Sequence, residues 1–447
     1  MKRLLLVIAF IAPLSAHAVD AGWKAALASE KITPDTMMWM AGYASRSAPA
    51  DGVGLDLFAK ALVMEDGGGQ RIAMVTMDLI GIPREVHLAA AAGVEKATGI
   101  PISRLVLNAS HTHCGPELRV MRTGKTDEPD TRAKEAQDYS DRIVETIVRL
   151  VTRCVSELKP ASVAYSQARC GFAMNRRTPH LGGFKNFPNP DGPVDHRVPV
   201  LKVASAEGDT IGLVFGYACH CTTLSYQKFN GDYAGFAQKY LEEKHPGATA
   251  LFVNGCSGDQ NPYPRREVGM ESDHGKTLAT AVEAALETKL KPLTGDLRAA
   301  YREIPLAYEA PPTREELEAR LKGSDKWEVR RCEVLLETLD RGEALPTSYP
   351  YPVQVLRLGE DLTLVTLGGE VVVDYSLRLQ KDIADPIVWV AGYSNDVMTY
   401  IPSLRVWKEG GYEGGEAMKY NFHPARWDPI VEEHVVKTVM ELRSDIE

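Results

Sequence analysis

Two histidines one residue apart, His111 and His113, follow an apolar segment of the chain. Alternate residues of an extended segment point to the same side, so both imidazoles can face one ion. Such a pair is also common among ordinary core and surface residues, and alone it predicts little. His220 follows a second apolar segment and Glu370 a third, where two glycines precede it and allow close backbone approach. The four residues together favour a shared metal site, although Glu370 alone could equally accept hydrogen bonds from loop amides.

The chemistry that this set suits best is that of zinc. Two neutral imidazoles and a carboxylate can hold zinc and leave a position for water, whose pKa then falls towards about 7. The resulting hydroxide can attack an amide carbonyl, and a further histidine can carry the proton to the leaving amine. The residues therefore predict a zinc-dependent amide hydrolase.

Cysteines beside the histidines offer a different interpretation. Cys114, Cys219 and Cys221 flank them, and a four-coordinate His/Cys site would be closed and structural. Cys219 and Cys221 alternate with His220, however, and would point to the opposite face of an extended segment. Cys256 could serve as a nucleophile, but nothing nearby favours a thiolate, and packing is the preferred role. Seven cysteines in 447 residues predict at most one or two disulfides.

Further polar residues lie in predicted loops. The segment Asn175-Arg-Arg-Thr-Pro179 reads as an exposed loop, in which one guanidinium orients a substrate carbonyl or acidic group and the other is solvated. Gly258-Asp259 and Gly231-Asp-Tyr233 either support hydrogen bonds around the site or form Asx turns.

The surrounding elements alternate between strands and helices. Segments 58–64 and 72–78, joined by a Gly-rich turn, predict a β-hairpin. Residues 84–98 have helical periodicity, and strands are predicted at 104–108, 211–218 and 248–253. These three strands run directly into polar loops, which is where α/β proteins present chemistry.

The second half of the chain adds a charged insertion. Residues 311–346 predict a helical hairpin that opens with a capping box at Thr313 and Glu316. A helix is predicted at 277–290, strands at 351–358, 362–367 and 387–391, and long loops at 178–194 and 409–416. We therefore predict an α/β fold: one large mixed-sheet domain over residues 19–447, with flanking helices and the inserted hairpin.

The N-terminus predicts export. Lys2 and Arg3 precede an apolar run at 4–14 and the small-x-small sequence Ala16-His-Ala18, which is typical of a signal peptide over residues 1–18. No later segment approaches the roughly 20 apolar residues of a transmembrane helix. The chain has 51 Lys and Arg against 60 Asp and Glu, without a basic stripe, so nucleic acid is not expected as a partner. We expect a periplasmic or extracellular protein without a transmembrane segment.

Several short segments together resemble the neutral/alkaline, non-lysosomal ceramidase family. They occur in the family's order, along nearly the whole predicted mature chain: Ile32-Thr-Pro34, Met40-Ala-Gly-Tyr-Ala44, His111-Thr-His-Cys-Gly-Pro116, Asn175-Arg176, Gly231-Asp-Tyr233, Gly258-Asp259 with Pro262, and Gly392-Tyr-Ser-Asn395 with Tyr400. Single pieces are weak signals, whereas the ordered set is fairly specific.

The resemblance implies a zinc amidase that splits an N-acyl chain from a sphingoid base. It implies His111, His220, Glu370 and Tyr400 as metal ligands. It also implies His113 as proton carrier and Arg176 as a substrate-orienting residue. Tyr400 would be an unusual ligand, because its phenol must lose a proton with the help of the cation.

Three departures from the family pattern affect the expected substrate. Asn261 stands where the family has an active-site serine, and it could donate a hydrogen bond to an oxyanion. Cys114 replaces another serine, and the sequence is expected to correspond to the catalytic domain without the family's C-terminal immunoglobulin-like domain. The leading expectation is hydrolysis of a small-molecule or lipid N-acyl amide. The alternatives are hydrolysis of another small amide or peptide at the same zinc site, and a metal- or ligand-binding protein without catalysis.

Overall fold

The computed structural model describes residues 22–120 and 129–447. The export signal predicted at residues 1–18 lies outside the described residues and stays a prediction. Over the described ranges, no helix combines the length and apolarity that crossing a membrane requires.

Within these ranges the strands form two principal sheets and three small ones. Their bounds are β1 (Trp23–Lys31), β2 (Gly52–Val53), β3 (Phe58–Glu65), β4 (Arg71–Met77), β5 (Leu105–Ala109), β6 (Lys159–Arg169), β7 (Ala173–His180), β8 (Gly183–Asn189), β9 (Arg197–Ser205), β10 (Thr210–Tyr217), β11 (Lys228–Phe229), β12 (Thr249–Asn254), β13 (Gln260–Pro262), β14 (Lys291–Leu293), β15 (Leu297–Ala307), β16 (Ser348–Leu358), β17 (Leu362–Leu367), β18 (Glu370–Val371), β19 (Ile387–Ala391) and β20 (Tyr400–Ile401).

Helices flank these sheets. They are α1 (Arg84–Thr98), α2 (Pro129–Ser156), α3 (Asp232–Lys244), α4 (Met270–Leu286), α5 (Arg314–Arg320), α6 (Lys326–Asp340), α7 (Val373–Asp382), α8 (Leu404–Glu409), α9 (Gly411–Gly414) and α10 (Val431–Asp445), with 3₁₀ segments at Ile102–Arg104 and Glu416–Asn421.

Successive side chains of a strand point to opposite faces, so each sheet packs on both sides. The domain therefore has four layers, which are helices, the large sheet, the second sheet and further helices. In β3, Ala61 and Val63 face a core shared with α1 and α2, whereas Leu62 and Met64 face the second sheet. Helices α3 and α4 cover another part of the same outer face. The second sheet, in the order β15-β16-β17-β19, is covered on its far side by α7 and α10. Because both faces of both sheets are buried, their strands read as nearly continuous apolar runs.

The large sheet curls so that its two edge strands approach each other. Its order is β12-β10-β9-β6-β1-β3-β4-β5, with β14 beside β6, and it is mixed, since β4 and β5 are parallel, as are β10 and β12, while β3 and β4 are antiparallel. At the two edges, Asn254 N donates to Asn108 Oδ1 at 2.8 Å. The loops that leave β5, β10 and β12 therefore come together, although these strands do not lie side by side in the sheet order.

Most predicted elements are confirmed, including the mixed sheet, the hairpin of β3 and β4, helix α1, and the helical insertion. The predicted capping box is present, since Glu316 N donates to Thr313 Oγ1 at 3.2 Å and Thr313 N donates to Glu316 Oε2 at 2.9 Å. Helix α4 begins earlier and ends earlier than the predicted 277–290. The loop predicted at 178–194 is wrong in its first part, because β7 and β8 form a hairpin there.

Candidate metal centre

The two histidines of the first motif leave the end of β5 in a constrained turn. His111 adopts a left-handed φ of 63°, and its backbone N–H donates to Leu79 O at 2.9 Å. An ordinary side chain in this conformation is uncommon and is often found at functional sites. The half-buried His113 packs against Gly42, where an added Cβ would lie 2.7 Å from the imidazole. This glycine therefore makes room for the His113 ring.

His220 lies in the loop after β10 and is fully buried. Its Nδ1 lies 2.7 Å from Ser257 O, and the Nδ1 of His111 contacts Ile80 O in the same way. A carbonyl oxygen only accepts hydrogen bonds, so each Nδ1 carries a proton, and the Nε2 atom of each neutral ring has a free lone pair. The two Nε2 lone pairs point to the same position, beside Glu370 Oε2.

Glu370 and Tyr400 are brought together by backbone pairing. They are direct partners in the parallel pair of β18 and β20. An added Cβ at Gly368 would lie 2.8 Å from Asp396 O, and one at Gly369 would lie 2.7 Å from Thr399 O. The two glycines do permit the close approach that the sequence predicts.

Four polar side chains converge at this point. Glu370 Oε2 lies 3.2 Å from His111 Nε2 and 3.3 Å from His220 Nε2, and it makes no hydrogen bond of normal geometry to a described residue. His113 Nε2 is 3.1 Å from His111 Nε2, and the ligand atoms of the three histidines lie within 4.8 Å of one another. A buried carboxylate oxygen that faces two nitrogen lone pairs is unfavourable unless a cation or a proton lies between them. The donor set fits a divalent metal that accepts nitrogen and oxygen ligands.

The protonation states agree with this interpretation. Burial and the neighbouring Arg176 lower the pKa of His220 to about 3, and burial beside the other two imidazoles lowers the pKa of His113 well below its usual range. Burial raises the pKa of Glu370, but attraction to the His111 and His220 imidazoles in their protonated form outweighs it and holds that pKa well below the usual range, and a metal cation in the same place would favour the ionised carboxylate in the same way. Neutral imidazole and ionised carboxylate are the forms that bind metals.

Arg176 and Arg177 correct one expectation from the sequence. Both are buried in β7, so the predicted exposed loop is wrong, and neither guanidinium is solvated. Arg176 Nε donates to Glu413 Oε1 at 2.8 Å and its Nη2 donates to Tyr400 Oη at 3.0 Å, while Arg177 Nη1 donates to Glu413 Oε2. One buried carboxylate thus bridges two buried guanidiniums next to the candidate metal centre.

Asn261 is also buried beside the centre, in β13. Its Oδ1 accepts from Arg176 Nη1 at 3.2 Å and from Thr222 Oγ1 at 3.3 Å. Its Nδ2 donates to Asn186 Oδ1 at 3.1 Å and to Tyr263 Oη at 3.4 Å. The amide is therefore engaged by protein groups in this conformation, and its role towards an oxyanion stays a prediction.

The flanking cysteines and aspartates have supporting positions. All seven cysteines are free and buried, and burial raises the thiol pKa values of Cys219 and Cys221 well above their usual range. Asp259 accepts from Val373 N at 2.9 Å and from Asn175 Nδ2 at 3.0 Å, which ties the loop after β12 to α7 and β7. Asp232 accepts from Leu224 N at 3.0 Å and begins α3.

A cavity of about 450 Å³ opens onto the centre. His111, His113, Glu370, Tyr400 and Arg176 all contribute to its wall. Its volume falls in the usual range of small-molecule pockets, which is roughly 300–1,000 Å³.

Two residues that shape this centre have no role assigned to them in the sequence analysis, although Tyr393 lies within a segment of the family resemblance. Glu413 lies in the short helix α9, and Tyr393, whose ring centroid is 4.6 Å from that of His111, adopts a left-handed φ of 51°. No local pattern distinguishes Glu413 from a surface acid. Its role becomes visible only when β7 and α9 are packed together.

A buried acid beneath the centre predicts a pH effect on stability. Asp396 O accepts from Gly369 N at 2.8 Å, and burial, partly offset by a 2.7 Å hydrogen bond from Tyr349 Oη, raises the pKa of the Asp396 carboxyl to about 7. In the unfolded chain this carboxyl ionises near pH 4, so folding takes up a proton between about pH 4 and 7. Its contribution is fully present below about pH 4 and is lost as the pH rises to 7, by up to about 1.4 kcal/mol per unit.

We expect Asp396→Asn to lack this pH dependence. The free energy of unfolding of the variant minus that of the wild type should increase from about pH 4 to 7 and then level off. Urea unfolding at a series of pH values measures the difference, with Asp191→Asn, in an exposed turn, as the control substitution. A flat curve for Asp396→Asn would show that its carboxyl ionises alike in the folded and unfolded chains.

Comparisons with known proteins identify chains that are similar to this one. A family model described as neutral/alkaline non-lysosomal ceramidase, N-terminal, matches residues 28–265. Neutral ceramidase A of Dictyostelium discoideum is 24% identical over 249 residues, which are 51% of this chain and 34% of that protein. Neutral ceramidase 1 of Arabidopsis thaliana is 22% identical over 269 residues, covering 58% of this chain and 34% of that protein. The matched part therefore spans about a third of each relative.

The fold has a solved counterpart. The crystal structure of neutral ceramidase from Pseudomonas aeruginosa superposes with a TM-score of 0.73 at 20% sequence identity, covering 95% of this chain and 74% of the other. The similarity extends beyond residue 265, into the part of the fold that contributes Glu370 and Tyr400.

Proposed function

Because the chain belongs to the neutral/alkaline non-lysosomal ceramidase family, we propose that it is a zinc-dependent hydrolase that cleaves an N-acyl amide. The observation that carries the proposal is the convergence of His111, His220 and Glu370, in which Glu370 Oε2 faces two imidazole nitrogens and accepts no hydrogen bond from the part of the chain that the structure describes. The neutral ceramidase names of the relatives support the reaction class. Assignment of zinc rests on the nitrogen-rich donor set.

In this proposal His111, His220, Glu370 and Tyr400 hold the ion. A bound zinc ion supplies a Lewis acid that polarises the amide carbonyl and lowers the pKa of water. The carbonyls of Ile80 and Ser257 fix the tautomers of the two histidines, so that each Nε2 is available as a ligand. Tyr400 Oη accepts from Arg176 Nη2, and the guanidinium favours the ionised phenol, although burial dominates and raises the Tyr400 pKa well above its usual range. We propose that this donor prepares the phenol for coordination.

His113 is the proposed proton carrier. It lines the cavity, is half-buried, and its Nδ1 makes no hydrogen bond to a described residue. Because its Nε2 lies 3.1 Å from His111 Nε2, the ring stands beside the centre and can pass a proton to a leaving amine in the cavity. Arg176, held by Glu413, is proposed to orient the substrate carbonyl, and Asn261 to position Arg176.

Metal removal tests the proposal. Treatment with a chelator is expected to abolish hydrolysis of N-acyl amides, and added zinc is expected to restore it, whereas added magnesium is not, since magnesium prefers an all-oxygen site. The assay panel contains a short-chain ceramide, N-acyl amino acids and N-acyl sugars. Amide hydrolysis that persists without metal would contradict the proposal. Zinc binding without turnover of any amide would instead favour a binding protein.

A further inference from the structure

The wall of the cavity is strongly cationic. Among the described residues, six guanidiniums contribute to it, and they belong to Arg46, Arg119, Arg132, Arg176, Arg265 and Arg266, whereas the described carboxylates there are those of Glu117 and Glu370. The chain as a whole has a net charge of −9. A cavity whose sign is opposite to that of the protein concentrates anions from solution.

Some of these guanidiniums are satisfied by the protein itself. Arg176 is paired with Glu413 at 2.8 Å and Arg119 with Glu117 at 2.7 Å. Arg46 donates to neutral acceptors, among them His113 O at 2.7 Å.

Arg265 and Arg266, the arginine pair, differ from these. Arg265 donates to the neutral oxygens Thr222 Oγ1 at 3.2 Å and Asn186 Oδ1 at 3.4 Å, and within the described ranges neither arginine forms an ion pair with a carboxylate. Arg265 is half-buried, and burial lowers the pKa of its guanidinium. A half-buried charge without a counterion is unfavourable, and a negative group in the cavity would compensate it.

The backbone holds the second arginine in place. Arg266 has a left-handed φ of 82°, and its N–H donates to Thr223 O at 2.8 Å. Its guanidinium lies 4.9 Å from the ring centroid of Tyr43, another residue of the cavity wall. A residue other than glycine in this conformation is uncommon and strained, and the surrounding structure imposes it. The strain places the Arg266 side chain over the cavity wall.

Hydrogen bonds connect the arginine pair to the candidate metal centre. Thr222 Oγ1, which accepts from Arg265, donates to Asn261 Oδ1 at 3.3 Å, and Asn261 Oδ1 also accepts from Arg176 Nη1. A substrate anion bound by Arg265 would therefore lie close to a carbonyl group oriented by Arg176, with Thr222 and Asn261 linking the two guanidiniums.

We propose that the arginine pair binds a carboxylate of the substrate, so that the protein prefers anionic N-acyl amides to a neutral sphingolipid. This inference rests on the proposed amide hydrolysis and specifies its substrate class. The carboxylate can belong to the amine side, as in an N-acyl amino acid, or to the acyl side, as in a monoamide of a dicarboxylic acid. Both place one negative charge near the scissile amide, and the guanidinium fork fits a carboxylate.

A matched substrate pair tests the preference. We expect kcat/KM for N-octanoylglycine, or for the monoamide of a dicarboxylic acid, to exceed that for its own methyl ester by about 10- to 100-fold, the usual value of a charge-assisted hydrogen bond. Whichever acid has the higher acid-to-ester ratio shows where the recognised carboxylate lies. N-octanoylglycine would place it on the amine side, and the monoamide of a dicarboxylic acid on the acyl side. Arg265→Gln should reduce the acid-to-ester ratio about tenfold or more, and Arg265→Lys should restore part of it.

A matched control and a binding assay complete the test. Arg341→Gln, which removes an exposed guanidinium paired with Glu343, should leave the ratio unchanged. Equal rates for acid and ester, a preference for a neutral ceramide, or a ratio unaffected by Arg265→Gln would each overturn the inference. If no amide is hydrolysed, the proposed function fails. Calorimetric binding of N-octanoylglycine and its ester to the Glu370→Gln protein then still decides whether the cavity selects the carboxylate.

Discussion

Glu370→Gln is expected to abolish metal binding and to lower amide hydrolysis by at least about 1,000-fold. One preorganised group that stabilises an oxyanion is worth about 10²–10³ in kcat, and loss of the ion removes more than one such contribution. Glutamine keeps the shape of the side chain but removes the negative charge that lies 3.2 Å from His111 Nε2 and 3.3 Å from His220 Nε2. Elemental analysis should find about one zinc per wild-type chain and almost none in the variant.

Stability provides a readout that is independent of turnover. Zinc at a hundredfold excess over its Kd stabilises the folded state by about 2.7 kcal/mol, so the wild type should unfold at a lower temperature after chelation. Glu370→Gln should show no such change. The control is Glu360→Gln, whose side chain is 66% exposed and pairs with Arg298. Equal zinc content in the variant and the wild type would exclude Glu370 as a ligand, and absence of metal from both, even after zinc is supplied, would remove the basis for metal catalysis.

Glu413→Ala is expected to destabilise the fold by about 3–5 kcal/mol, because it leaves two buried guanidiniums without their shared carboxylate. The side chains of Arg176 and Glu413 are each only 4% exposed, and that of Arg177 is 1% exposed. Arg177 keeps a contact with Glu409 Oε2 at 3.1 Å, but Arg176 retains only neutral or phenolic partners. Urea unfolding measures the change in free energy.

A surface ion pair gives the matched control for this variant. Glu343 and Arg341 are each 57% exposed, and Glu343→Ala should leave the free energy of unfolding nearly unchanged. We also expect Glu413→Ala to reduce kcat/KM at temperatures where the variant remains folded, because Arg176 loses the partner that fixes it. A loss of stability below about 1 kcal/mol would show that water or a local rearrangement compensates the guanidiniums.

The sequence predicted those parts of the centre that depend on local patterns. Strand periodicity and the polar residues after β5 and β10 placed His111, His113 and His220 at strand ends, and the two glycines before Glu370 correctly indicated a close approach. Tyr400 followed only from the family resemblance, since its position depends on pairing between β18 and β20, two strands of two residues each. The spacing of residues in the sequence does not predict pairing between strands as short as these.

The remaining features depend on long-range packing. Arg176 and Arg177 read as loop residues, because a polar run with a proline is typical of exposed segments. In the fold, Glu413 and Glu409 supply charges that allow both guanidiniums to be buried in β7. The second sheet was not predicted as a separate layer, because its strands have the same apolar character as those of the first. The two sheets are distinguished by which of their side chains contact each other across the interface between them.

The curled sheet also determines when the centre can form. The contact between Asn108 and Asn254 joins residues 146 positions apart, and Glu370 and Tyr400, whose strands pair to close the centre, follow both of them in the chain. Contacts of such high sequence separation are costly in loop entropy and tend to form late in folding. A nascent chain that ends before residue 370 lacks the carboxylate, whatever its histidines do. The complete donor set therefore arises only after residue 400 has been synthesised and the fold has formed, which limits the opportunity for metal capture by partly synthesised or misfolded forms.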